Sequence, residues 1–138
     1  MIVLDSSAAC DMVRKTEEGM AFRALMLSEV KVISCELLRA EVVSIFRKLC
    51  RHGLIPIEKV QSFLTESTAL VNEYYSIQEL QEEVLSESIR LDHSSYDLFY
   101  FVLARRFGAT LFTLDRKLIR LCEEQGVQCV AILENGEF

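Results

Sequence analysis

Four acidic residues stand where a carboxylate could do chemistry. Asp5 and Asp115 each end a short apolar run, while Asp97 opens one predicted helix and Glu41 lies inside another. Carboxylates that share a pocket repel one another, and they stay ionised together only beside divalent cations. Oxygen ligands without cysteine or histidine suit Mg²⁺ or Mn²⁺. Such a cluster supports two-metal hydrolysis of a phosphodiester, with the ions ~3.5–4 Å apart. The residue types therefore predict a hydrolase or a metal-binding domain.

Glu41 is the most informative of these residues, because it lies mid-helix, where no cap is needed. Its neighbours at helical spacing are Leu37, Leu38 and Ile45, so its carboxylate is predicted on or beside the core-facing side. A buried carboxylate is costly and needs a cation, a metal or a raised pKa. The alternative is a glutamate at the edge of the apolar face that reaches solvent or pairs with Lys48.

The three aspartates have a simpler explanation as helix caps. Asp115 could serve equally as a cap or as a ligand. Asp97 follows Ser94 by three residues, which is the spacing of a capping box. Asp5 is needed less as a cap, because Ser6 and Ser7 follow it directly and could take that role.

Strand ends predict where these carboxylates lie. Asp5 and Asp115 should sit at the carboxyl edge of a parallel sheet, where ligands bind. Asp97 begins the helix that precedes a strand. Topology alone places it at the opposite edge, unless the preceding chain crosses over the sheet.

Helices and strands are predicted to alternate along the chain. The apolar periodicity predicts strands over 1–4, 30–34, the second half of 68–77, 109–114 and 127–131. It predicts helices over 8–15, 16–29, 35–51, 57–66, 78–90, 94–106 and 116–124, with Gly108 as the stop signal after the helix that opens at 94. This order indicates parallel βαβ units and an α/β class, with three α/β/α layers around a mostly parallel sheet of four or five strands. A single domain over 1–138 is expected.

Composition excludes several classes of protein. The 138 residues are 51% hydrophobic, too apolar for a disordered chain, yet no run approaches the ~20 residues of a membrane helix. No signal peptide is recognised, so a cytoplasmic location is expected. The net charge of −6 argues against charge-driven binding of nucleic acid. The five cysteines lack zinc spacing and are expected to be buried, reduced thiols.

Around these acids the sequence resembles the PIN-domain family of ribonucleases, and it looks most like the small VapC-type toxins. The opening Ile-Val-Leu-Asp5-Ser-Ser is similar to the first strand of the family, and the helix around Glu41 is similar to its acidic helix. Tyr-Asp97-Leu-Phe-Tyr100-Phe-Val-Leu-Ala resembles the Tyr-Asp-x-x-Tyr-x-x-Leu-Ala signature. Leu-Phe-Thr-Leu-Asp115-Arg-Lys-Leu resembles Leu-x-Thr-x-Asp-x-x-Leu. The resemblance covers nearly the whole chain.

The resemblance implies a role for each matching residue. The core acidic ligands would be Asp5, Glu41 and Asp97, with Asp115 completing the quartet directly or through a water. Ser6 and Thr113 would be polar supports. The resemblance also implies that Asp97 reaches the shared pocket, against the simple topology.

The resemblance further implies an endoribonuclease that depends on Mg²⁺ or Mn²⁺ and cuts single-stranded RNA. A homodimer and a small antitoxin partner are expected. RNA contacts would fall to local basic residues, of which Arg39 and Arg116 lie nearest to proposed ligands. Most other basic residues are expected to form a solvated face.

Two other functions remain open. The chain could be a non-catalytic, PIN-like protein-binding module, against which the complete acidic quartet argues. A phosphoacceptor receiver domain also carries acids at strand ends. It requires an acidic pair near the first strand and a lysine after the last, whereas Asp5 is followed by serines and the last strand by Ala-Ile-Leu.

Overall fold

The computed structural model describes residues 1–26 and 30–130, and a five-stranded parallel sheet lies at its centre. The strand order is β3-β2-β1-β4-β5. The strands are β1 (Ile2–Leu4), β2 (Val32–Cys35), β3 (Glu73–Tyr75), β4 (Thr110–Phe112) and β5 (Cys129–Val130). β1 occupies the middle and pairs with β2 on one side and with β4 on the other. Asp5 therefore follows the most enclosed strand of the sheet.

Seven helices flank this sheet within the described residues. They are α1 (Ser6–Arg14), α2 (Glu17–Leu25), α3 (Leu37–Arg51), α4 (Val60–Ala69), α5 (Ile77–Leu91), α6 (Ser95–Phe107) and α7 (Arg116–Gln125). A short 3₁₀ turn, Ile57–Lys59, precedes α4. Helix α1 packs against α2, α3 and α4, whereas α6 packs against α5, α7 and the sheet. The predicted three-layer α/β/α fold is confirmed.

Helix α6 contains the longest unbroken run of buried residues among the described helices. Every residue from Leu98 to Ala104 is buried, as its unbroken apolar sequence predicts. The helix ends at Gly108, which adopts the left-handed conformation with φ +61°. A buried helix fixes the direction of its first turn, where Asp97 lies.

Element boundaries differ from the prediction where strand pairing extends or shortens an element. β2 continues to Cys35, and the N–H of Glu36 then donates to the carbonyl of Tyr75, so α3 begins two residues later than predicted. α2 ends at Leu25, while the predicted continuation over 27–29 lies outside the described residues. β5 begins at Cys129 and not at 127 as predicted, because the N–H of Val127 still bonds back to the carbonyl of Cys122 in α7. The predicted residue 131 lies outside the described part of the chain.

The cysteines are all reduced, and burial is complete for three of the five. Cys10, Cys35 and Cys122 are buried, whereas Cys50 and Cys129 are only half-buried. The expectation of burial is wrong for these two, because Cys50 lies in the last turn of α3 and Cys129 on an edge strand. Among the described residues, no helix is both long and apolar enough to cross a membrane.

Gly19 allows α1 and α2 to pack closely. A Cβ on this residue would lie 1.9 Å from the backbone oxygen of Asp11. We expect Gly19→Ala to destabilise the protein by about 1–3 kcal/mol through overpacking, against an intrinsic helix preference for alanine of about 1 kcal/mol. Urea denaturation measures the change. The control is Ser86→Ala on the exposed face of α5, which should stabilise slightly; equal effects of the two changes would contradict the close approach.

Candidate active site

Asp5 is a buried carboxylate held by three donors. The N–H of Ala8 and the hydroxyl of Ser7 donate to its Oδ1 at 2.9 and 2.7 Å. The hydroxyl of Thr113 donates to its Oδ2. Asp5 is therefore the N-cap of α1, and the expectation that Ser6 or Ser7 would cap this helix is wrong. Asp5 takes the cap because it is the last residue in extended conformation before α1.

Two hydroxyls tie the end of β4 to α1. The Oγ1 of Thr113 accepts from the N–H of Asp115 at 3.0 Å while it donates to Asp5. The Oγ of Ser7 accepts from the N–H of Leu114, also at 3.0 Å. Two of the four acids are thereby fixed relative to one another. The sequence suggested Ser7 only as a possible cap of α1, and this link was not predicted.

Glu41 is half-buried in the second turn of α3. Its Oε1 accepts from the hydroxyl of Ser6 at 3.2 Å and from that of Tyr100 at 2.5 Å. Tyr100 was not predicted to contact an acid. The available signal was a lone hydroxyl inside the otherwise apolar helix α6, because a buried tyrosine needs a hydrogen-bond partner. Ser6, predicted as a polar support, orients Glu41.

Asp97 lies at the same edge of the sheet, so the placement expected from topology alone is wrong. The N–H of Thr110 donates to the carbonyl of Met1, which puts the end of α6 at the amino edge of the sheet. A helix that leads into a parallel strand runs antiparallel to it, so α6 must begin at the carboxyl edge. The capping-box explanation also fails, because Ser94 makes no side-chain capping bond.

Asp115 is both a cap and a neighbour of Asp97. Its Oδ1 accepts from the N–H groups of Lys117 and Leu118 at 2.9 and 3.1 Å, which makes it the N-cap of α7. Its charge also raises the pKa of Asp97. A carboxylate has about four lone-pair sites, so two donors at one oxygen do not exhaust its capacity.

Burial and mutual repulsion raise the pKa of two of the acids. Burial raises the pKa of Asp5 from 3.8 to about 7, with a smaller contribution from the charge of Glu41. Its three hydrogen bonds act in the opposite direction. Burial also raises the pKa of Asp97 to about 6, and the charges of Asp115 and Glu41 add to this effect. The four carboxylates thus lie at the carboxyl edge of the sheet, where Thr113 joins Asp5 to the backbone of Asp115 and the charge of Glu41 acts on both Asp5 and Asp97; we call this region the acidic pocket.

Comparison with known proteins identifies the family and the fold of this chain. The sequence profile of the PIN domain matches residues 2–124. The chain belongs to the PIN domain family. The solved structure of PAE2754 from Pyrobaculum aerophilum superposes with a TM-score of 0.65 over 86% of this chain and 82% of that protein, at 19% sequence identity. This likeness shows the fold. No curated protein matches the sequence.

PIN domains are usually nucleases and generally bind divalent metals such as Mg²⁺. This PIN domain fits such an ion in ligand type, since its pocket offers carboxylates from four elements. Within the described residues, however, no three Asp, Glu, His or Cys side chains already surround one point as a metal would require. Binding an ion would therefore draw the carboxylates closer together.

The two basic residues predicted to contact RNA differ in their surroundings. The guanidinium of Arg39 pairs with Glu36 at 2.8 Å and lies 3.9 Å from the ring centroid of Tyr74. It is thus oriented by the N-cap residue of α3 and by a ring of β3. Arg116 is exposed at the first position of α7, directly after Asp115.

Thr113 is expected to contribute to stability through its two hydrogen bonds. Thr113→Val keeps the shape but leaves the Oδ2 of Asp5 and the N–H of Asp115 without their present partner. We expect a loss of about 1–3 kcal/mol in the free energy of unfolding, measured by urea denaturation in chelator. The matched control is Thr110→Val in β4, the strand that Thr113 directly follows; its bond to Gln128 is exposed. It should change stability by less than about 0.5 kcal/mol. Equal losses would contradict the buried link.

Proposed function

We propose that this PIN domain is a Mg²⁺- or Mn²⁺-dependent endoribonuclease and the toxin of a toxin–antitoxin pair. The observation that carries the proposal is the shared pocket, in which the pKa of Asp97 responds to the charges of Asp115 and Glu41. Acids from separate elements are costly to bring together without a cation. Their convergence is best explained by a site that binds one.

The residues that would hold the ion are Asp5, Glu41, Asp97 and Asp115. When bound, a divalent cation supplies charge neutralisation at the phosphate and acidifies water. Thr113 and Ser7 keep Asp5 oriented, and Ser6 and Tyr100 keep Glu41 oriented. These bonds fix the orientation of Asp5 and Glu41 individually, whereas an ion would still have to draw the acids together.

The resemblance to VapC-type toxins supports the remaining parts of the proposal. These are a cytoplasmic location, a homodimer and inhibition by a small antitoxin. A neighbouring reading frame that encodes a small protein with an N-terminal DNA-binding segment would support the toxin role. Sedimentation of the purified chain tests the dimer.

A non-catalytic protein-binding module is the second candidate. It is favoured by the structural bonds of Asp5 and Asp115, which cap helices. It is also favoured by the lack of a preformed three-ligand set among the described residues. A cleavage assay separates the two functions.

The assay uses the purified chain and an internally labelled single-stranded RNA, with single-stranded DNA of the same sequence beside it. We expect internal cuts in the RNA with Mg²⁺ or Mn²⁺, and none in chelator. Cleavage that persists in chelator would contradict the metal dependence. Intact RNA at all metal concentrations would favour the protein-binding module.

A further inference from the structure

Tyr96 is the most exposed aromatic residue in the described part of the chain, at 61%. Phe107, the next most exposed, is at 39% and packs its ring against Tyr75 at 5.1 Å between centroids. Within residues 1–26 and 30–130, Tyr96 has neither a ring partner nor a hydrogen bond to its hydroxyl. A single exposed apolar side chain needs no explanation by itself, so its position decides what it means.

Tyr96 stands at the rim of the acidic pocket. It directly precedes Asp97 in the first turn of α6. Successive side chains on a helix point about 100° apart. Asp97 is half-buried beside the other acids, whereas Tyr96 projects into solvent. A strand of RNA with a phosphate at the acids would therefore pass this ring.

The negative net charge of the protein makes an aromatic contact useful for binding RNA. The net charge of −6 gives no general attraction to RNA. Stacking of a base on an aromatic ring does not depend on net charge, and it tolerates every base. Local positive charge at the pocket comes from Lys117 in the first turn of α7, two residues after Asp115, and this charge lowers the pKa of Asp97. An unpaired base could stack on Tyr96 while this cation meets a phosphate.

We propose that Tyr96 binds an unpaired nucleobase next to the bond that is cut. The contact restricts the substrate to single-stranded regions, because a paired base is not free to leave its stack. This inference rests on the proposed ribonuclease function and adds a substrate-binding residue to it.

The test compares Tyr96→Phe, Tyr96→Leu and Tyr96→Ala. Phenylalanine keeps the ring, and leucine keeps apolar bulk without it. We expect the KM for single-stranded RNA to rise about ten-fold or more in the leucine and alanine variants, with a smaller change in kcat, and to stay within about two-fold in the phenylalanine variant. Ile57→Ala is the control, since Ile57 is 73% exposed and follows the end of α3 away from Glu41.

A second readout separates this inference from the proposed function. Each variant is combined with Asp97→Asn, and the anisotropy of a labelled single-stranded RNA reports binding without cleavage. Suppose that the wild type cuts RNA. If Tyr96→Ala then cuts and binds RNA as the wild type does, or if Tyr96→Phe is as impaired as Tyr96→Ala, the stacking contact is wrong while the nuclease function stands. If RNA is bound through the ring but never cut, the contact stands and the nuclease is wrong. If the wild type neither cuts nor binds RNA, the stacking contact and the nuclease function are both wrong.

Discussion

Asp97→Asn should abolish RNA cleavage and leave the fold intact. Asp97 makes no capping hydrogen bond in the described structure, and its charge in the first turn of α6 contributes only about 0.3–1 kcal/mol through the helix dipole. Its pKa is raised by burial and by the charges of two other acids, so an amide relieves repulsion in the absence of metal. Changes in residues that merely orient metal ligands cost about 10–100-fold in activity. Loss of a direct ligand should exceed about 100-fold.

The measurement is the single-turnover cleavage rate of labelled RNA in Mg²⁺, with the melting temperature recorded beside it. Asp92→Asn is the matched control, because Asp92 is exposed at the C-cap of α5 in the left-handed conformation, which asparagine tolerates well. It should cleave at the wild-type rate. Normal cleavage by Asp97→Asn would remove this residue from the mechanism.

Asp5→Asn should stabilise the metal-free protein at alkaline pH and remove most of its pH dependence. The pKa of Asp5 rises on folding from 3.8 to about 7. Between these values the folded state binds a proton that the unfolded state does not, so stability falls as pH rises through this window, by up to about 1.4 kcal/mol per pH unit. Asp97 adds to this trend with the same sign. Above pH 7 the cost is fully present, up to about 4 kcal/mol.

Asparagine avoids this cost and can still cap α1 through its oxygen. The hydroxyl of Thr113 loses its carboxylate acceptor, so we expect a net gain of about 1–3 kcal/mol at pH 8. Urea denaturation in chelator at pH 5 and pH 8 measures it. The wild type should be more stable at pH 5 than at pH 8, and Asp5→Asn should lose less stability over this range, because only the contribution of Asp97 remains. A wild type that gains stability from pH 5 to pH 8 would contradict a raised pKa at Asp5.

The fold was predictable because its signals are local. The apolar run of β1, the continuous apolar face of α6 and the stop signal at Gly108 each depend on neighbouring residues. Their alternation was enough to predict a parallel three-layer fold. Boundaries were less predictable, because the pairing of β2 with β3 lies between distant segments and decides where α3 begins.

Of the residues that form the site, only the acidic ones were predictable from the sequence. Asp5 and Asp115 follow strands, and Glu41 has no local reason to be acidic. Topology alone suggested the wrong edge for Asp97, because that reasoning considered where α6 leads and not the direction in which the helix runs. Only the family resemblance placed Asp97 in the pocket. Tyr100 was missed because its partner Glu41 is 59 residues away, and only the packing of α6 brings the two together.

Calorimetric titration with Mn²⁺ tests the acidic pocket most directly. The wild type, Asp97→Asn and Asp92→Asn are compared at the same pH in metal-free buffer. The shared pocket predicts that the wild type and Asp92→Asn bind Mn²⁺ alike, while Asp97→Asn binds at least about ten-fold more weakly. A wild type that does not bind Mn²⁺, or an Asp97→Asn protein that binds it equally well, would contradict a metal site built from these carboxylates.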